Sequence, residues 1–395
     1  MSTYPPRHCG IATFTHDLAL AVGDREIVAI VAPEPVRPIP LVVQKVTHPL
    51  EIHHRIARDE VADHVRAAHA LARCVDVVSI QYEQGIWGGD DGENVLDFVR
   101  ALDTPAVATL HTVQRMPSPR QRAILVELVS RVEATVVMSR SAAALLTTAY
   151  GIDAAHVEVI HHGVPDLPLV DPATMKPTLG LDGRRVLLSY GLLGPGKGYE
   201  LAIDALPAVA AAHPDVLYVI VGATHPDLLL REGEAYREAL VARVAALRMG
   251  NHVRFFDRFV GRVELTRWLE AADVFVAPYP NLDQIVSGTL SYAMGAGRAI
   301  VSTPFTYAAE LLADGRGVLV PAGSPALLAA ALIEVLGDDE LRASLGRHAY
   351  EHSRPMAWSE VAVEYRRLFR RVGAGARATS AAVPSLRAAT AAANA

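Results

Sequence analysis

Residues 191–198 read Gly-Leu-Leu-Gly-Pro-Gly-Lys-Gly, and they decide the fold together with the residues on either side. The apolar run 185–190 is short enough for one buried strand, whereas apolar residues in 199–206 recur at helical spacing. A strand, a glycine-rich turn with one lysine and a helix can bind phosphate, because glycines let backbone N–H groups approach the anion and the helix start adds partial positive charge. Since Gly198 follows Lys197, where a P-loop has Ser or Thr, the turn is not that of a P-loop NTPase. A turn that only reverses the chain is the alternative.

The composition predicts a soluble globular protein of two domains. The chain has 395 residues, of which 51% are hydrophobic and 20% charged. A formal net charge of −6 provides no basic field for nucleic acid, which we exclude as a partner. No apolar run approaches the roughly 18 residues of a membrane span, and residues 1–6 lack the apolar core of a signal peptide. Two cysteines give no disulfide framework, so we expect a reducing, cytoplasmic location.

Short apolar runs alternate with amphipathic helical patterns along most of the chain, which predicts parallel sheets covered by helices on both faces. Residues 165–181, rich in Pro and Asp, predict a linker between two such units, 1–164 and 182–357. A last helix is predicted over 358–372, followed by a disordered, alanine-rich tail, 373–395. The predicted strands are 26–32, 75–81, 106–111, 134–139, 157–161, 185–190, 216–222, 253–256, 274–278 and 299–302, and the predicted helices include 56–73, 120–132, 142–149, 233–247 and 263–271.

Four stretches carry a family resemblance: YPPRHCGIATF at 4–14, TLHT at 109–112, VIHHGV at 159–164, and 284–304 with its YAMGAG and STP segments. In this order and spacing they resemble the retaining glycosyltransferases of family 4, which have the GT-B fold. The resemblance implies two Rossmann-like domains facing across a cleft, with the acceptor on the N-terminal domain and a nucleotide sugar on the C-terminal one. It also implies a final helix that crosses back to the first domain, and no metal ion or other cofactor.

The chain departs from the family pattern at three places. Leu192 lies five residues before Lys197, where the family usually has Arg. Gln284 and Tyr292 replace two Glu residues eight apart, although related glycogen-synthase-like enzymes also have Tyr at the second position. The loop at Gly10 normally follows a first central strand, and only a few residues precede it here, so either the start is misassigned or the sheet opens without that strand.

A retaining sugar transfer passes through a state in which negative charge grows on the departing diphosphate, and stabilising that charge is the main task of the site. Lys197 and the N–H groups around Gly196 and Gly198 are suited to it, and Gly194 of the same turn is a further donor-binding candidate. An Arg in place of Leu192 would add a contact worth about 1.5–3 kcal/mol. Arg258, near the end of a predicted strand, is our candidate to replace it, and an ion pair with Asp257 or a surface acid is the alternative.

Further donor-binding candidates follow the strand 274–278. Gln284 can hold a sugar hydroxyl but cannot stabilise a cationic ring as Glu would. Residues 287–289 can begin a helix whose N–H groups face the diphosphate, and an ordinary N-cap is the alternative. The resemblance places Tyr292 on the sugar and ribose side and Glu310 at the ribose or sugar, with a solvated helix glutamate as the alternative for Glu310. The donor-binding candidates in this part of the chain are Ser287, Gly288, Thr289, Tyr292 and Glu310.

The N-terminal half contributes candidates at the carboxyl ends of its predicted strands, where ligands of open α/β sheets bind. His111 ends the strand 106–111, and the resemblance implies that it contacts the transferred sugar, although a lone His there is commonly a structural hydrogen-bonding residue. Gly10 lets its loop approach donor or acceptor, or only turns tightly. Glu83 and Trp87 are candidates to bind a sugar acceptor, with plain packing as the alternative for Trp87.

Three features favour ordinary structural interpretations. The basic amphipathic segment 120–131 could rest on an anionic membrane, giving peripheral contact, but a core-facing helix with a charged outer face is commoner. His161 and His162 are adjacent and project in different directions, so they do not predict a metal site. Asp90 and Asp91 lie in a glycine-rich stretch typical of a solvated turn.

The leading hypothesis is a cytoplasmic retaining glycosyltransferase that moves a hexose from a nucleoside-diphosphate sugar to a hydroxyl of a carbohydrate or glycolipid-type acceptor. Its catalytic candidates are His111, Lys197 and Gln284. The alternatives are a GT-B sugar phosphorylase or epimerase, and a nucleotide-sugar-binding protein that has lost catalysis. GDP-mannose, UDP-glucose and ADP-glucose remain open as donors, as do the acceptor, the linkage and the oligomeric state.

Overall fold

The computed structural model of the chain describes residues 1–23, 25, 27–31, 52 and 54–382. In the described part of residues 1–159, parallel strands and helices follow one another along the chain. Local capping sets where helices start: Ser118 and Gln121 bond reciprocally through side chain and backbone, and Pro119 opens the helix that follows. The strands are β1 (Val28–Val31), β2 (His54–Ala57), β3 (Val78–Tyr82), β4 (Ala106–Leu110), β5 (Ala134–Val137) and β6 (Val157–Val159), and the helices are α1 (Gly10–Val22), α2 (Val61–Leu71), α3 (Gln84–Trp87), α4 (Asn94–Arg100), α5 (Pro119–Ser130) and α6 (Arg140–Leu145).

The first unit contains a parallel sheet of order β3-β4-β5-β6 and a parallel pair, β1-β2. Met1 and Ser2 lie between them. The Ile30 amide donates to the Ser2 carbonyl at 2.8 Å, and the Gln81 amide donates to the Met1 carbonyl at 3.0 Å. These two residues therefore bridge β1 and β3, at the position where the sequence predicts that a strand is missing.

The second unit contains a six-stranded parallel sheet of order β12-β11-β10-β7-β8-β9. Its central strands are buried on both faces, which explains their continuous apolar runs. The strands are β7 (Arg185–Tyr190), β8 (Val216–Val221), β9 (Val253–Phe256), β10 (Val274–Ala277), β11 (Ala299–Ser302) and β12 (Val318–Leu319), and the helices from the linker onward are α7 (Pro172–Met175), α8 (Tyr199–Ala212), α9 (Pro226–Glu232), α10 (Ala235–Ala246), α11 (Arg262–Ala271), α12 (Gly288–Gly295), α13 (Thr306–Leu311), α14 (Pro325–Gly337), α15 (Asp339–Ser353) and α16 (Trp358–Ala382).

The last helix, α16, packs back on the first unit. The Tyr365 hydroxyl lies 3.0 Å from Thr109 Oγ1, and the Arg366 guanidinium donates to the Ala21 carbonyl at 2.8 Å. The predicted α/β class, with two parallel sheets and a helix that crosses back, is confirmed.

Two predicted boundaries differ from the structure. The predicted helix 56–73 is wrong at its start, because His54–Ala57 forms edge strand β2 and the helix begins at Val61. Only Ile56 of that strand is buried, so the strand has no alternating pattern to reveal it. The last helix continues past 372 to Ala382, because alanines and arginines around two glycines favour helix.

Some predicted features fall partly or wholly beyond the described residues. Glu26 and Ala32, the ends of the predicted strand 26–32, lie outside them, as do residues 383–395 of the predicted tail.

The two units contact each other at the carboxyl ends of their strands, across a cleft. Ser139, just after β5, donates its hydroxyl hydrogen to the Ile285 carbonyl at 3.4 Å. Arg115, in the loop after β4, forms an ion pair with Asp283 at 3.0 Å. The residues that follow β10 therefore form one wall of the cleft and touch the other wall directly.

Candidate active site

The glycine turn adopts the predicted strand-turn-helix geometry. Pro195–Lys197 form one turn of 3₁₀ helix, and α8 begins two residues after Lys197. Gly198 has a φ of +64°, and a Cβ at this position would overlap the Pro278 carbonyl oxygen, so only glycine fits there. Gly196 has no atom within 4 Å of where a Cβ would lie, which leaves its backbone open to a ligand.

Lys197 is connected to the start of α12 through a buried tyrosine. Its ammonium lies 4.3 Å from the centre of the Tyr279 ring, and the Tyr279 hydroxyl lies 2.7 Å from Thr289 Oγ1. Ser287 caps α12 by accepting a hydrogen bond from the Leu290 amide. Burial raises the pKa of Tyr279, but Lys197 and the hydroxyl partners outweigh it, so the pKa lies below its usual value. The turn and the N-terminus of α12, predicted separately, are thus neighbours.

A cavity of about 310 Å³ opens beside the turn. Its lining includes the predicted donor-site residues Gly194, Gly196 and Lys197, together with Gln284. The side-chain amide of Gln284 donates to the Val286 carbonyl at 2.8 Å. The lining also includes residues of α9 and its start that sequence reasoning missed, because no motif connects them to the turn. The lining residues are Leu192, Gly194, Pro195, Gly196, Lys197, His225, Leu228, Arg231, Asn281 and Gln284.

Two buried histidines lie on the side of the cleft that faces α12. His111 Nε2 lies 2.9 Å from Gln81 Oε1, and the His111 ring packs edge-on against Phe14 at 4.9 Å. His162 also packs against Phe14, and its Nε2 would lie 2.8 Å from a Cβ placed on Gly288. Burial lowers the pKa of His111 to about 3 and that of His162 to about 4, with each ring neutral at pH 7 as the result. Sequence reasoning considered His162 only as a metal ligand and missed this position.

Tyr292, a predicted donor contact, has its hydrogen-bond partner in the first unit. It lies one turn into α12, on the face that packs against α1, and its hydroxyl donates to the buried Asp17 carboxylate at 2.9 Å. Burial raises the pKa of Asp17, while the bond from Tyr292 and the charge of Arg262 oppose that rise. Tyr292 therefore connects the two units and does not line the cavity.

Glu310 and Arg258 also have partners other than the cavity. Glu310 reaches across the cleft and accepts hydrogen bonds from the amides of Arg140 and Ser141, at the start of α6. Arg258, the predicted replacement for the missing cation, forms an ion pair with Glu264 in this structure. That outcome matches the alternative of a surface acid.

The two acceptor-binding candidates, Trp87 and Glu83, lie in different surroundings. Trp87 is wrong as an acceptor contact, because it is fully buried and its indole N–H donates to the Gln81 carbonyl at 2.9 Å. Glu83 accepts a hydrogen bond from the Gly85 amide at 2.9 Å, and burial raises its pKa. Asp227, at the start of α9, also affects the Glu83 carboxylate, so Glu83 faces the second unit. Gly10 is the exposed first residue of α1, with open space around it.

Comparison with known proteins assigns the family. A family model described as Glycosyltransferase Family 4 matches residues 9–166, and one described as Glycosyl transferases group 1 matches residues 172–352. A phosphatidyl-myo-inositol mannosyltransferase of Mycolicibacterium smegmatis is 30% identical over 283 residues, which cover 70% of this chain and 68% of that protein. The chain belongs to glycosyltransferase family 4. It is a glycosyltransferase, as predicted.

Further relatives of the enzyme agree with this assignment. A D-inositol 3-phosphate glycosyltransferase of Jonesia denitrificans is 28% identical over 293 residues, covering 68% of this chain and 66% of that protein. The fold of HepE from Anabaena, solved in complex with UDP and glucose, matches with a TM-score of 0.73 at 19% identity, over 93% of this chain and 97% of that one. Sucrose-phosphate synthase from Thermosynechococcus elongatus matches with a TM-score of 0.72 at 18% identity, over 93% and 94%. These structures confirm the GT-B fold.

The basic helix of the glycosyltransferase packs as the commoner interpretation predicts. In α5, Ile124, Leu125 and Leu128 are buried in the core of the first unit. Arg120 pairs with Asp90 and Glu93, just before α4, and Arg122 donates to backbone carbonyls. Among the described residues, no helix is both long and apolar enough to span a bilayer, and no group of three or more His, Cys, Asp or Glu residues could hold a metal ion.

Proposed function

We propose that this enzyme is a retaining hexosyltransferase that moves a hexose from a nucleoside-diphosphate sugar to a hydroxyl group of a carbohydrate or glycolipid-type acceptor. The observation that carries the proposal is that the glycine turn, with Lys197, lines one cavity, and that Tyr279 connects Lys197 to Thr289 at the N-terminus of α12. Two relatives are named for inositol-containing acceptors, which favours testing polyol head groups first. The cytoplasmic location remains an expectation from composition.

The chemistry assigned to the cavity is stabilisation of a departing diphosphate. When the bond between the anomeric carbon and the diphosphate breaks, the electron pair leaves with the phosphate oxygen, and the sugar ring becomes cationic. Fixed donors act most strongly where that negative charge develops. The Lys197 ammonium and the open backbone around Gly196 supply such donors without rearrangement.

Neutral hydrogen-bonding groups face the sugar position in this proposal. His111 keeps no charge at pH 7, so it adds no repulsion to a cationic ring. Its Nε2 is held by Gln81, and Nδ1 has no hydrogen-bond partner among the residues described, which leaves that atom for a sugar hydroxyl. Gln284 likewise carries no charge and lines the same cavity as Lys197.

Contacts between the two units would exclude water, which otherwise hydrolyses the donor. The bond from Tyr292 to Asp17, the ion pair of Arg115 with Asp283, and Glu310 at the start of α6 all cross the cleft.

A donor screen followed by product analysis tests the proposal. A nucleotide sugar at about 100 times its dissociation constant should stabilise the fold by ~2.7 kcal/mol, which a thermal shift assay detects. With that donor and a panel of polyol and glycolipid head groups, we expect release of the nucleoside diphosphate and a product whose anomeric proton coupling matches that of the donor. Turnover should persist after a chelator is added, because the proposal includes no metal ion.

Two outcomes would contradict the proposal. If none of the nucleotides or nucleotide sugars shifts the melting temperature, the cavity is not a donor site. If transfer occurs with inversion of the anomeric centre, the retaining assignment is wrong while the donor site stands.

A further inference from the structure

The glycine turn beside the cavity carries fewer positive charges than a bound diphosphate carries negative ones. A nucleoside diphosphate carries at least two negative charges, whereas the turn provides one cationic side chain, Lys197. Leu192, which precedes Lys197 on the same turn, lines the cavity with an apolar side chain. A second cation would therefore have to come from another element.

Helix α9 is fixed against the turn by backbone pairing. The Leu193 amide donates to the Ala223 carbonyl at 2.8 Å, and the His225 amide donates to the Leu193 carbonyl at 2.9 Å. His225 then caps α9, and Leu228 of the helix lies beside Gly194. The position of α9 over the turn is thus determined by hydrogen bonds and not by side-chain packing alone.

Arg231 lies in the last turn of α9 and lines the same cavity as Lys197. It forms no ion pair or side-chain hydrogen bond within the part of the chain that the structure describes. The next arginine, Arg237, is by contrast held by Glu234 and Asp257. An arginine with no acidic partner at the edge of a phosphate-sized cavity is available to an anion.

The local field agrees with this placement. Burial lowers the pKa of His225, and the charges of Arg7, Lys197 and Arg231 lower it further against the opposing effect of Asp227. Lys197 and Arg231 therefore act on the same imidazole, and both line the same cavity.

We propose that Arg231 supplies the second cation for the donor diphosphate, in place of a cation at position 192. Arg231 lies on α9, 34 residues after Lys197 in the chain. The assignment rests on the proposed function of the cavity as a donor site. Arg231 is a binding residue in this account, and Lys197 remains the cation of the turn.

Calorimetric titration of the full chain with UDP, GDP and ADP, and with the matching monophosphate and nucleoside, tests the assignment. For the diphosphate that the wild type binds, Arg231→Gln should weaken binding about tenfold, the lower end for a charge-assisted contact because the side chain is exposed. Nucleoside binding should not change, and Arg231→Lys should recover part of the loss. Arg258→Gln is the matched control, since it removes the same charge from an arginine that is paired with Glu264.

A rescue variant separates a charge effect from a structural one. Adding Leu192→Arg to Arg231→Gln places a guanidinium on the turn itself, so diphosphate binding should return towards the wild-type value. The assignment is overturned if Arg231→Gln binds diphosphate like the wild type, if it loses nucleoside binding equally, or if Arg258→Gln has the larger effect. If the wild type binds no nucleoside diphosphate at all, the donor-site proposal itself fails.

Discussion

Glu310 makes the contact across the cleft whose strength can be worked out bond by bond. Its Oε1 accepts from the Arg140 amide at 2.9 Å, and its Oε2 accepts from the Ser141 amide at 2.8 Å and the Ser141 hydroxyl at 2.6 Å. Burial raises the pKa of Glu310, but these hydrogen bonds outweigh it and lower the pKa overall, so the carboxylate is charged at pH 7. The family pattern predicts a donor contact here, whereas the structure shows a contact between the two units.

Glu310→Gln keeps the shape but removes one acceptor and the charge. The amide oxygen can still accept from Ser141, and the amide NH₂ group then faces the Arg140 amide, another donor. Losing a hydrogen bond to a charged acceptor costs about 1.5–3 kcal/mol, and a half-exposed site favours the lower value. About 1.4 kcal/mol corresponds to a tenfold change, so the arrangement with the units in contact should become roughly ten times less populated.

Steady-state transfer and nucleotide titration together measure this effect. We expect kcat/KM for transfer to fall about tenfold, since closure excludes water and completes the site, while the Kd for the nucleoside diphosphate stays within about twofold. Glu334→Gln, on the exposed face of α14, is the matched control and should behave as the wild type. A parallel loss of nucleotide affinity would refute the reasoning and restore Glu310 as a donor contact. Unchanged transfer would show that this contact plays no part in closure.

Two further predictions concern His162 and Gln284. His111 and His162 have pKa values of about 3 and about 4 in the folded chain, so the unfolded chain binds more protons than the folded one below about pH 6.5. The free energy of unfolding should therefore fall as the pH drops from about 6.5 towards 4. The expected slope is about 1.4 kcal/mol per pH unit for each ring. His162→Gln should halve this contribution in urea denaturation between pH 7 and 5, and an unchanged slope would show that His162 titrates normally. Gln284→Glu should weaken nucleoside diphosphate binding several-fold in calorimetry. The reason is that a carboxylate cannot donate to the Val286 carbonyl and adds negative charge to the cavity. Tighter binding or faster transfer would instead indicate that Gln284 marks a site that has lost catalytic function.

The parts of the site that depend on local sequence are predictable from it. The turn at 191–198 combines glycine, lysine and flanking apolar periodicity within a few residues, and those properties alone produce the strand-turn-helix geometry around Lys197. Ser287 is predictable as the start of α12 for the same reason, since a capping serine acts on amides two or three residues away.

Contacts between distant segments are not predictable in this way. Nothing in the sequence near Arg231 indicates that two backbone hydrogen bonds hold its helix over the turn. Glu310 and Tyr292 match family positions, but their partners lie 170 and 275 residues away, in the other unit. Trp87 follows a strand as an acceptor-binding residue would, and only its complete burial distinguishes the two roles.

A crystal structure of the enzyme with its tightest-binding nucleotide sugar tests the central claim most directly. The account predicts that the diphosphate lies within hydrogen-bond distance of the Lys197 ammonium and of the backbone amides around Gly196, at the N-terminus of α12. A nucleotide bound on the first unit, or a Lys197 side chain that does not contact the diphosphate, would contradict it.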